Sequence, residues 1–460
     1  MKVGVVGGGM TGLALAWQLA RQGHRVSVLE RDVQIGGLAT WFDYGAFLWD
    51  RFYHVILPTD VHLIRFIGDL GLGQSLRWKH TLTGFYVDRQ FHSMSSSLDF
   101  LRFPPIGLLA KVRLAATVLH CARIKDWRRL ERIPVGPWLQ RLSGKPTYEK
   151  LWKPLLLAKL GNNYERVSAV FIWSYITRMF SARSGSARKE HLGHVVGGYR
   201  TVFTRLHQLI ESAGGFIRSG VTVERIAALP GGGMAVLCDG QEDVFDKVIF
   251  TGPTDVLRRV AAMDLFHLED PGLQVEYLGV ICMVLITRKP LTPFYIVNIA
   301  DDRIPFTGVI GMSNVVDPQE TAGLHITFFP KYVNSSSPLL KWSNEALKEW
   351  FLPGVRLMFP EVDDCIESVH INRASRVQPL QVLDYSRLVP RVASAHADFF
   401  VLNTAQFTHA TLNNNEVIHA VDVFMERFGS RFACGHSRPC APDWRPADGS
   451  SVEPCAADLR

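Results

Sequence analysis

The first thirty residues of the chain predict a strand, a glycine-rich turn, a helix and a second strand in immediate succession. The run VGVV is short, apolar and β-branched, which is typical of buried parallel strands. Gly7, Gly9 and Gly12 then form a G-x-G-x-x-G turn into a helix over residues 10–22. The second strand, RVSVLE, ends in Glu30, where an acid can accept hydrogen bonds from both hydroxyls of a ribose. The combination predicts a βαβ unit that binds a dinucleotide.

The same segment does not fit a secretory signal peptide. Its charged start is Lys2 alone, glycines interrupt the apolar run, and the helical pattern continues through Arg21 without a cleavage site. No uncharged apolar stretch reaches the ~18 residues of a spanning helix. Seven scattered cysteines without a CxxC spacing favour a reducing compartment. We therefore expect a cytoplasmic protein without a metal site.

A second glycine pair, Gly36 and Gly37, follows Glu30 in the stretch RDVQIGGLAT and brings more backbone close to the same ligand, near its phosphates. With the preceding motif, this pattern resembles the flavin amine oxidase superfamily, which includes protoporphyrinogen oxidases, phytoene desaturases and monoamine oxidases. The resemblance implies that the cofactor is FAD. It also implies cofactor contacts by residues of both turns, namely Gly7, Gly9, Met10, Thr11, Gly12, Glu30, Arg31, Gly36, Gly37 and Leu38.

Two later segments extend the resemblance. In residues 193–226 a glycine pair opens an amphipathic helix, and the next strand supplies Val223, whose backbone by resemblance touches the adenine. Near the C-terminus, a helix that begins near Asn414 would direct its positive end at the flavin pyrimidine. The superfamily normally has Gly-Asp before this helix, and the acid holds the ribityl chain. This chain has Asn403 and Thr404 there, and both side chains can still hydrogen-bond a hydroxyl.

The fold class expected is α/β, with a Rossmann-type, doubly wound parallel sheet, an antiparallel-sheet substrate domain and a helical cap. The antiparallel domain is predicted from strand-like runs that alternate with polar turns, and the tail from composition without periodicity. The expected boundaries are 1–97, 191–255 and 386–428 for a discontinuous FAD-binding domain, 98–190 for a basic helical cap, 256–385 for the substrate domain and 429–460 for a disordered tail.

Positive charge is concentrated in the predicted cap. The chain carries a net charge of +7, and twelve Lys or Arg between Arg102 and Lys153 face only three acids. Such a segment can meet anionic lipid, nucleic acid or a phosphorylated substrate, or it is simply a solvated helical face. We expect a small-molecule substrate, no nucleic acid, and peripheral contact of the cap with the inner face of the membrane. The sequence does not predict the oligomeric state.

The stretch FLWDRFYHVI, residues 47–56, should lie near the isoalloxazine edge of the flavin. Its Asp50, Arg51, Tyr53 and His54 are polar or aromatic side chains between apolar neighbours. One interpretation pairs Arg51 with Asp50 and packs the aromatic rings. The other gives these residues contact with the substrate and makes His54 a proton-transfer group.

Other candidate residues lie farther along the chain. Lys159 is on an apolar helix, where an unpaired ammonium is costly, so it either reaches the flavin or an anionic substrate or extends to solvent. Tyr199, beside the later glycine pair, is expected to pack against the cofactor, and Arg373 and Arg376 are candidate anion clamps. His54 and Lys159 are the predicted catalytic residues.

Three functions are compatible with these patterns. The first is an FAD-dependent oxidase or desaturase that removes hydride from a C–N or C–C bond of a fairly apolar substrate. A carboxylate or phosphate on that substrate would suit the basic cap. The second is a non-redox flavin mutase that acts on a nucleotide sugar and resembles UDP-galactopyranose mutase, with arginines that clamp a diphosphate. The third is a degenerate FAD-binding module with a scaffolding role, supported only by the replacement of Gly-Asp at 403–404.

Overall fold

The computed structural model describes residues 1–183, 190–266 and 274–432. Within these ranges the strands are β1 (Lys2–Val6), β2 (Arg25–Leu29), β3 (Trp41–Asp43), β4 (Leu48–Asp50), β5 (Leu76–His80), β6 (Thr83–Val87), β7 (Gln90–Ser93), β8 (His191–Val195), β9 (Phe216–Arg218), β10 (Val223–Ala228), β11 (Met234–Cys238), β12 (Gln241–Phe245), β13 (Lys247–Phe250), β14 (Tyr277–Thr287), β15 (Ile296–Ile299), β16 (Gly308–Gly311), β17 (His325–Asn334), β18 (Ile366–Pro379) and β19 (Phe399–Val401).

The helices alternate with these strands in the first part of the chain and cluster in its middle. They are α1 (Met10–Arg21), α2 (Val61–Asp69), α3 (Ser97–Arg102), α4 (Leu108–Arg123), α5 (Val135–Ser143), α6 (Lys145–Thr147), α7 (Lys153–Leu160), α8 (Ala169–Arg183), α9 (Tyr199–Ser212), α10 (Thr254–Val260), α11 (Asn344–Met358) and α12 (Asn414–Phe428).

One sheet is entirely parallel, in the order β19-β13-β1-β2-β9. Its register places Val3 of β1 between Lys247 of β13 and Val26 of β2. Because parallel neighbours need a crossover, α1 connects β1 to β2, as the N-terminal pattern predicts. All three segments that the sequence assigns to the FAD-binding domain contribute to these five strands.

The two faces of this sheet are covered by different layers. Val3 and Val5 pack with α1, α9 and α12 on one face. On the other face, Val6 and Phe250 pack against β11 and α10. Strands β10, β11 and β12 form a small antiparallel sheet there. The second face is therefore covered by α10 together with this small sheet, and not by helices alone.

A second large sheet has the order β18-β14-β17-β16-β15-β6-β7. It is antiparallel except where β15 pairs with β6 in parallel. Its core lies against α11, and every residue of β14 is buried. β6 and β7 precede residue 97, so this part of the chain joins the second sheet and not the parallel sheet of the expected FAD-binding segment. The edge of β15 would otherwise leave its backbone groups unpaired.

Helices α4, α5, α7 and α8 pack on one another around three buried tryptophans, Trp127, Trp138 and Trp173. Leu278 and Leu380, beside or within the second large sheet, join this cluster. The helices therefore rest on one end of that sheet. Of the helices described, none has the length and hydropathy needed to cross a membrane.

The ordered chain continues beyond the boundary expected at residue 428. Residues 429–432 form a 3-10 turn, and Phe432 is fully buried against Phe400 and Phe424. The expectation of disorder is wrong for these four residues because Phe432 fills the core below the parallel sheet. The remainder of the predicted tail, 433–460, lies outside the described residues.

Candidate active site

The first glycine turn has the geometry that the sequence predicts. Gly7 has a φ of +114°, a conformation that L side chains rarely adopt. A Cβ at Gly12 would lie 1.9 Å from the Gly7 carbonyl oxygen, so only glycine lets α1 start this close to β1. A Cβ at Gly9 would meet nothing nearer than 3.9 Å, the Cα of Gly37. The backbone at Gly9 is thus open to a ligand at the N-terminus of α1, which begins with Met10 and Thr11.

The second glycine pair packs directly on the first turn. The Gly36 N–H donates to the Gly8 carbonyl at 2.8 Å, and Gly9 and Gly36 form a parallel bridge. A Cβ at Gly37 would lie 3.2 Å from the Gly9 Cα. The two turns that the sequence assigns to one ligand therefore form one continuous backbone surface. Leu38, in the short turn that follows, is partly exposed.

Glu30 closes the other side of this surface. Its carboxylate accepts hydrogen bonds from the Gly8 N–H at 2.6 Å and from the Asp32 N–H at 2.8 Å. Its backbone carbonyl accepts from Val221, two residues before Val223 in β10. The structure thus brings Glu30 and Val223 to the same end of the parallel sheet. Arg31 points into solvent and pairs with its neighbour Asp32.

Asn403 is used within the protein. Its amide donates to the Gly252 carbonyl at 2.9 Å, and its side-chain oxygen accepts from the Ala405 N–H at 3.1 Å. These bonds join the ends of β13 and β19 and begin the turn that contains Thr404. An aspartate could not donate to the carbonyl, which explains why an amide occupies this position.

Asp50, Tyr199 and Asn414 meet where three elements end or begin. The Asp50 carboxylate, 2% exposed as a residue, accepts from the Tyr199 N–H at 2.8 Å and so satisfies the start of α9. The Tyr199 hydroxyl hydrogen-bonds the side chain of Asn414, the first residue of α12. A Cβ at Gly198 would lie 2.7 Å from the carboxylate oxygen, so glycine admits this contact. The expected Arg51–Asp50 pair is not formed; the carboxylate binds backbone instead.

His54 lies beside this group and is neutral. Its Nδ1 is 3.1 Å from the Phe52 carbonyl, which can only accept, so Nδ1 carries the proton. Burial lowers the pKa of His54 to about 4 and raises that of Asp50 to about 8. Nδ1 is 3.7 Å from the nearer Asp50 oxygen, too far for a hydrogen bond. The ring packs edge-on against Tyr199 at 5.3 Å.

Arg51 provides a direct test of whether these residues fit FAD. Its backbone N–H bonds the carbonyl of Thr40, three residues after Gly37, so it lies next to the second glycine turn. Its Nε is buried and has no hydrogen-bond acceptor among the described residues. A buried donor without an acceptor is costly, and a polar cofactor in the cradle would supply one. The open backbone at Gly9 and this donor both fit a bound dinucleotide.

Lys159 faces two tyrosines on the side of the molecule where helices meet the second sheet. Its amine lies 3.2 Å from the centre of the Tyr332 ring. The Tyr332 hydroxyl is 2.8 Å from that of Tyr53. Burial lowers the pKa of Lys159 to about 7 and raises the pKa of both tyrosines. All three residues nevertheless keep part of their surface uncovered.

The two candidate arginine clamps are engaged elsewhere. Arg373 donates to the Leu340 and Trp342 carbonyls and to Asn344. Arg376 forms an ion pair of 2.7 Å with Asp255 at the start of α10. The structure does not join either of them to Lys159. Within the described ranges, no three His, Cys, Asp or Glu side chains converge as metal ligands.

Sequence reasoning missed Tyr332, Tyr44 and Asn372. The Asn372 amide lies 3.1 Å from the Arg51 carbonyl and 3.3 Å from the Tyr44 hydroxyl, and so fixes the backbone that carries Arg51. Tyr332 and Asn372 lie on β17 and β18, more than 270 residues from the segment they contact. A polar or aromatic residue inside an apolar strand is the only sequence signal for such residues, and it does not indicate a partner.

The chain is similar in sequence to known proteins. Residues 10–374 match the family described as flavin containing amine oxidoreductase. A 15-cis-phytoene desaturase of Solanum lycopersicum is 23% identical over 295 residues, which are 57% of this chain and 48% of the relative. A zeta-carotene desaturase of Synechocystis is 27% identical over 209 residues, 40% of this chain and 42% of the relative. The chain thus spans about half the length of these curated relatives.

Solved structures share the fold over nearly the whole chain. A protein from Exiguobacterium, provisionally assigned as a protoporphyrinogen oxidase, has a TM-score of 0.72 at 17% identity and covers 92% of this chain and 98% of its own. Putrescine oxidase bound to putrescine has a TM-score of 0.73 at 14% identity and covers 94% of this chain and 99% of its own. Reduced UDP-galactopyranose mutase has a TM-score of 0.67 at 15% identity, covering 94% and 96%. With the match over residues 10–374, the chain belongs to the flavin-containing amine oxidoreductase family, and its cofactor is FAD.

Proposed function

We propose that this protein is an FAD-dependent oxidoreductase that removes hydride from a C–N or C–C bond of a fairly apolar substrate. The observation that carries the proposal is the Lys159–Tyr332–Tyr53 cluster, a half-buried group of two aromatic rings and one amine. Aromatic walls bind apolar carbon chains or rings through packing and exclude water. The flavin, when bound, supplies the hydride acceptor.

The residues that would hold FAD are mostly backbone groups. The pyrophosphate would bind the open turn at Gly9 and the N-terminus of α1. The ribose would bind the Glu30 carboxylate, which would first release the Gly8 N–H. The adenine would lie beside Val223. Arg51 Nε would donate to a polar atom of the cofactor, and the N-terminus of α12 at Asn414 would stabilise negative charge on the flavin. Arg31, Leu38 and Thr404 remain candidates for smaller contacts.

Lys159 is the proposed catalytic residue. Because its pKa is about 7, the amine is close to half protonated at neutral pH and can accept a proton from a substrate or hold a carboxylate. Tyr332 holds the amine in place through its ring, and Tyr53 fixes the Tyr332 hydroxyl. His54 has a pKa near 4, so at neutral pH its free Nε2 acts as a hydrogen-bond acceptor.

The proposed division of labour follows the two large sheets. The parallel sheet and its small antiparallel partner bind the cofactor. The second sheet forms the floor of the substrate site, and the helices between residues 98 and 183 cover it as a cap. This arrangement is supported by Lys159, which comes from α7, and by Tyr332, which comes from β17. We also propose that the protein acts in the cytoplasm, at the inner face of the membrane.

The alternative is a flavin mutase that acts on a nucleotide sugar. Its support is the fold shared with UDP-galactopyranose mutase. A diphosphate requires cationic clamps, and the described partners of Arg373 and Arg376 are protein groups. The oxidoreductase is therefore the better proposal. Arg373 and Arg376 could contribute to an anion site only after releasing those partners.

The test is anaerobic titration of the FAD-loaded protein, followed by flavin absorbance. Phytoene, putrescine, protoporphyrinogen and UDP-galactopyranose represent the substrate classes of the related proteins. Bleaching of the flavin by one of the first three, with release of a dehydrogenated product, is the expected result. Turnover of the nucleotide sugar only after prior flavin reduction, without net redox change, would establish the mutase instead. A protein that binds no FAD would overturn both and leave the scaffolding role.

A further inference from the structure

The outward face of α4 is apolar, whereas its inward face carries polar groups. The buried positions, which recur at helical spacing, are Lys111, Leu114, Thr117 and Cys121. The exposed apolar positions on the other side are Leu108, Leu109, Val112 and Leu119. Leu109 is 84% exposed and Leu108 is 69% exposed. A helix that packs on a protein core in water normally has the opposite arrangement, with leucines inside and lysine outside.

The neighbouring helix α3 also exposes large apolar side chains. Leu98 and Leu101 are both more than half exposed. The Lys111 amine reaches across to the Leu101 carbonyl at 2.6 Å and so fixes α3 against α4. We call the combined surface the leucine face; it consists of Leu98, Leu101, Leu108, Leu109, Val112 and Leu119. Monomeric soluble proteins rarely expose a contiguous apolar surface of this kind without a binding role.

Positive side chains dominate the segment that carries most of the leucine face. Residues 100–125 contain five Lys or Arg and no Asp or Glu. Arg102, Arg123 and Lys125 are exposed, whereas Arg113 is bound to the carbonyls of α5. The nearest preceding acid, Asp99, is held by serine hydroxyls and backbone N–H groups in the cap of α3. The surface therefore combines exposed leucines with a cationic rim.

We propose that the leucine face docks on an anionic lipid bilayer. The leucines enter the boundary between headgroups and acyl chains, and Arg102, Arg123 and Lys125 lie at the level of the lipid phosphates. Charge complementarity selects lipid over an uncharged apolar partner. The proposal specifies the membrane contact proposed above, and it is tested without measuring any reaction, so its failure would leave the flavin chemistry unaffected.

Buried side chains between α3 and α4 pack against α7, the helix that carries Lys159. Phe103 and Ile106, in the linker between α3 and α4, pack in one cluster with Leu155 of α7. Leu155 lies one helical turn before Lys159, on the same side of α7. A bilayer at the leucine face would therefore be separated from the Lys159 cluster by a short layer of apolar side chains.

The test is co-sedimentation of the FAD-loaded full-length protein with vesicles. Vesicles of equimolar phosphatidylcholine and phosphatidylglycerol are compared with pure phosphatidylcholine, at low and high salt. We expect binding to the anionic vesicles that salt weakens. The triple variant Leu108→Ser, Leu109→Ser, Val112→Ser should reduce the partition coefficient about tenfold or more, because three inserted side chains are lost.

The matched control is Val244→Ser, Leu357→Ser, Met263→Ser, which changes three exposed apolar side chains elsewhere on the surface. It should bind vesicles as the unchanged protein does. Flavin absorbance and thermal unfolding show whether each variant is folded. Absence of vesicle binding by the unchanged protein would overturn the proposal. Light scattering that shows a dimer, converted to monomer by the triple variant without any vesicle binding, would identify the face as a self-association surface instead.

Discussion

The Lys159 amine lies 3.2 Å from the centre of the Tyr332 ring, and burial lowers its pKa to about 7. The two residues are 173 positions apart on α7 and β17, so their contact depends on how the helices rest on the second sheet. Among the described residues no carboxylate pairs with Lys159, and a buried amine with so strongly lowered a pKa is a candidate functional group.

We expect Lys159→Met to retain the fold and FAD while it slows flavin reduction by substrate about a hundredfold, the usual contribution of a general base. In the unchanged protein the rate should rise with pH through about 7, as the amine loses its proton. Stopped-flow absorbance measures both. Lys331→Met is the control, because alternation along β17 directs that side chain to the opposite face of the sheet. Equal pH profiles in all three proteins would contradict the role of Lys159.

The raised pKa of Asp50 predicts how stability changes with pH. Its folded-state pKa is about 8 against an ordinary value of 3.8, so between these values the folded state binds more protons than the unfolded state. The free energy of unfolding should therefore fall as pH rises from about 4 to about 8. Asp50→Asn keeps a side-chain oxygen that can accept from the Tyr199 N–H. It should remove the contribution of Asp50 to the decrease in the free energy of unfolding with pH. Urea titrations at several pH values measure the free energy of unfolding. The control is Asp43→Asn, because Asp43 is exposed and accepts from the Gly45 N–H, and this change should leave the dependence on pH as it is in the unchanged protein.

Gly12→Ala should abolish FAD binding and destabilise the protein. Its Cβ would lie 1.9 Å from the Gly7 carbonyl oxygen, and backbone must move to relieve that contact. The expected cost is about 2 kcal/mol or more, as for other overpacked sites. Gly68→Ala in α2 is the matched control, because its Cβ would meet nothing within 4 Å and alanine favours the helix by up to ~1 kcal/mol. FAD fluorescence and chemical unfolding distinguish the two; normal FAD binding by Gly12→Ala would be inconsistent with the turn geometry.

The substitution Asn403→Asp should destabilise this chain. The Asn403 amide donates to the Gly252 carbonyl, and a carboxylate there would face a second acceptor. We expect a loss of about 1–3 kcal/mol, the cost of a buried group without its partner. Asn344→Asp provides the comparison, since that side chain accepts from Arg373 and a carboxylate still can. An Asn403→Asp protein as stable as the unchanged one would contradict the contribution of this bond.

Arg51→Met should weaken FAD binding without destabilising the FAD-free protein. The Nε donor is buried and has no acceptor among the described residues, so its removal relieves an unpaired polar group. With FAD bound, the same change loses one hydrogen bond, and we expect the dissociation constant to rise about tenfold. Fluorescence of released flavin measures the affinity. Arg303→Met, which removes an exposed arginine paired with Asp301, should leave the affinity unchanged.

The backbone conformation of the two glycine turns could be predicted from the sequence. Gly7, Gly12 and Glu30 are local: their backbone conformations, the start of α1 and the end of β2 follow from glycine geometry and strand–helix order within thirty residues. The second pair, Gly36 and Gly37, extended that prediction to FAD. Close backbone packing favours glycine at Gly12, Gly36 and Gly37, whereas the contacts of these residues with FAD stay a prediction.

The substrate side was decided by tertiary structure. Periodicity identified Lys159 on an apolar helix, but it could not supply Tyr332 as its neighbour or lower its pKa, since both depend on burial by distant elements. Likewise, the sequence pattern allowed Asp50 to pair with Arg51. In the folded chain Asp50 instead accepts from the Tyr199 N–H, and Arg51 Nε has no acceptor within the part of the chain that the structure describes. Local backbone geometry depends on residues that are close in the sequence. Side-chain contacts and the loss of hydration depend on chain segments that meet only after folding.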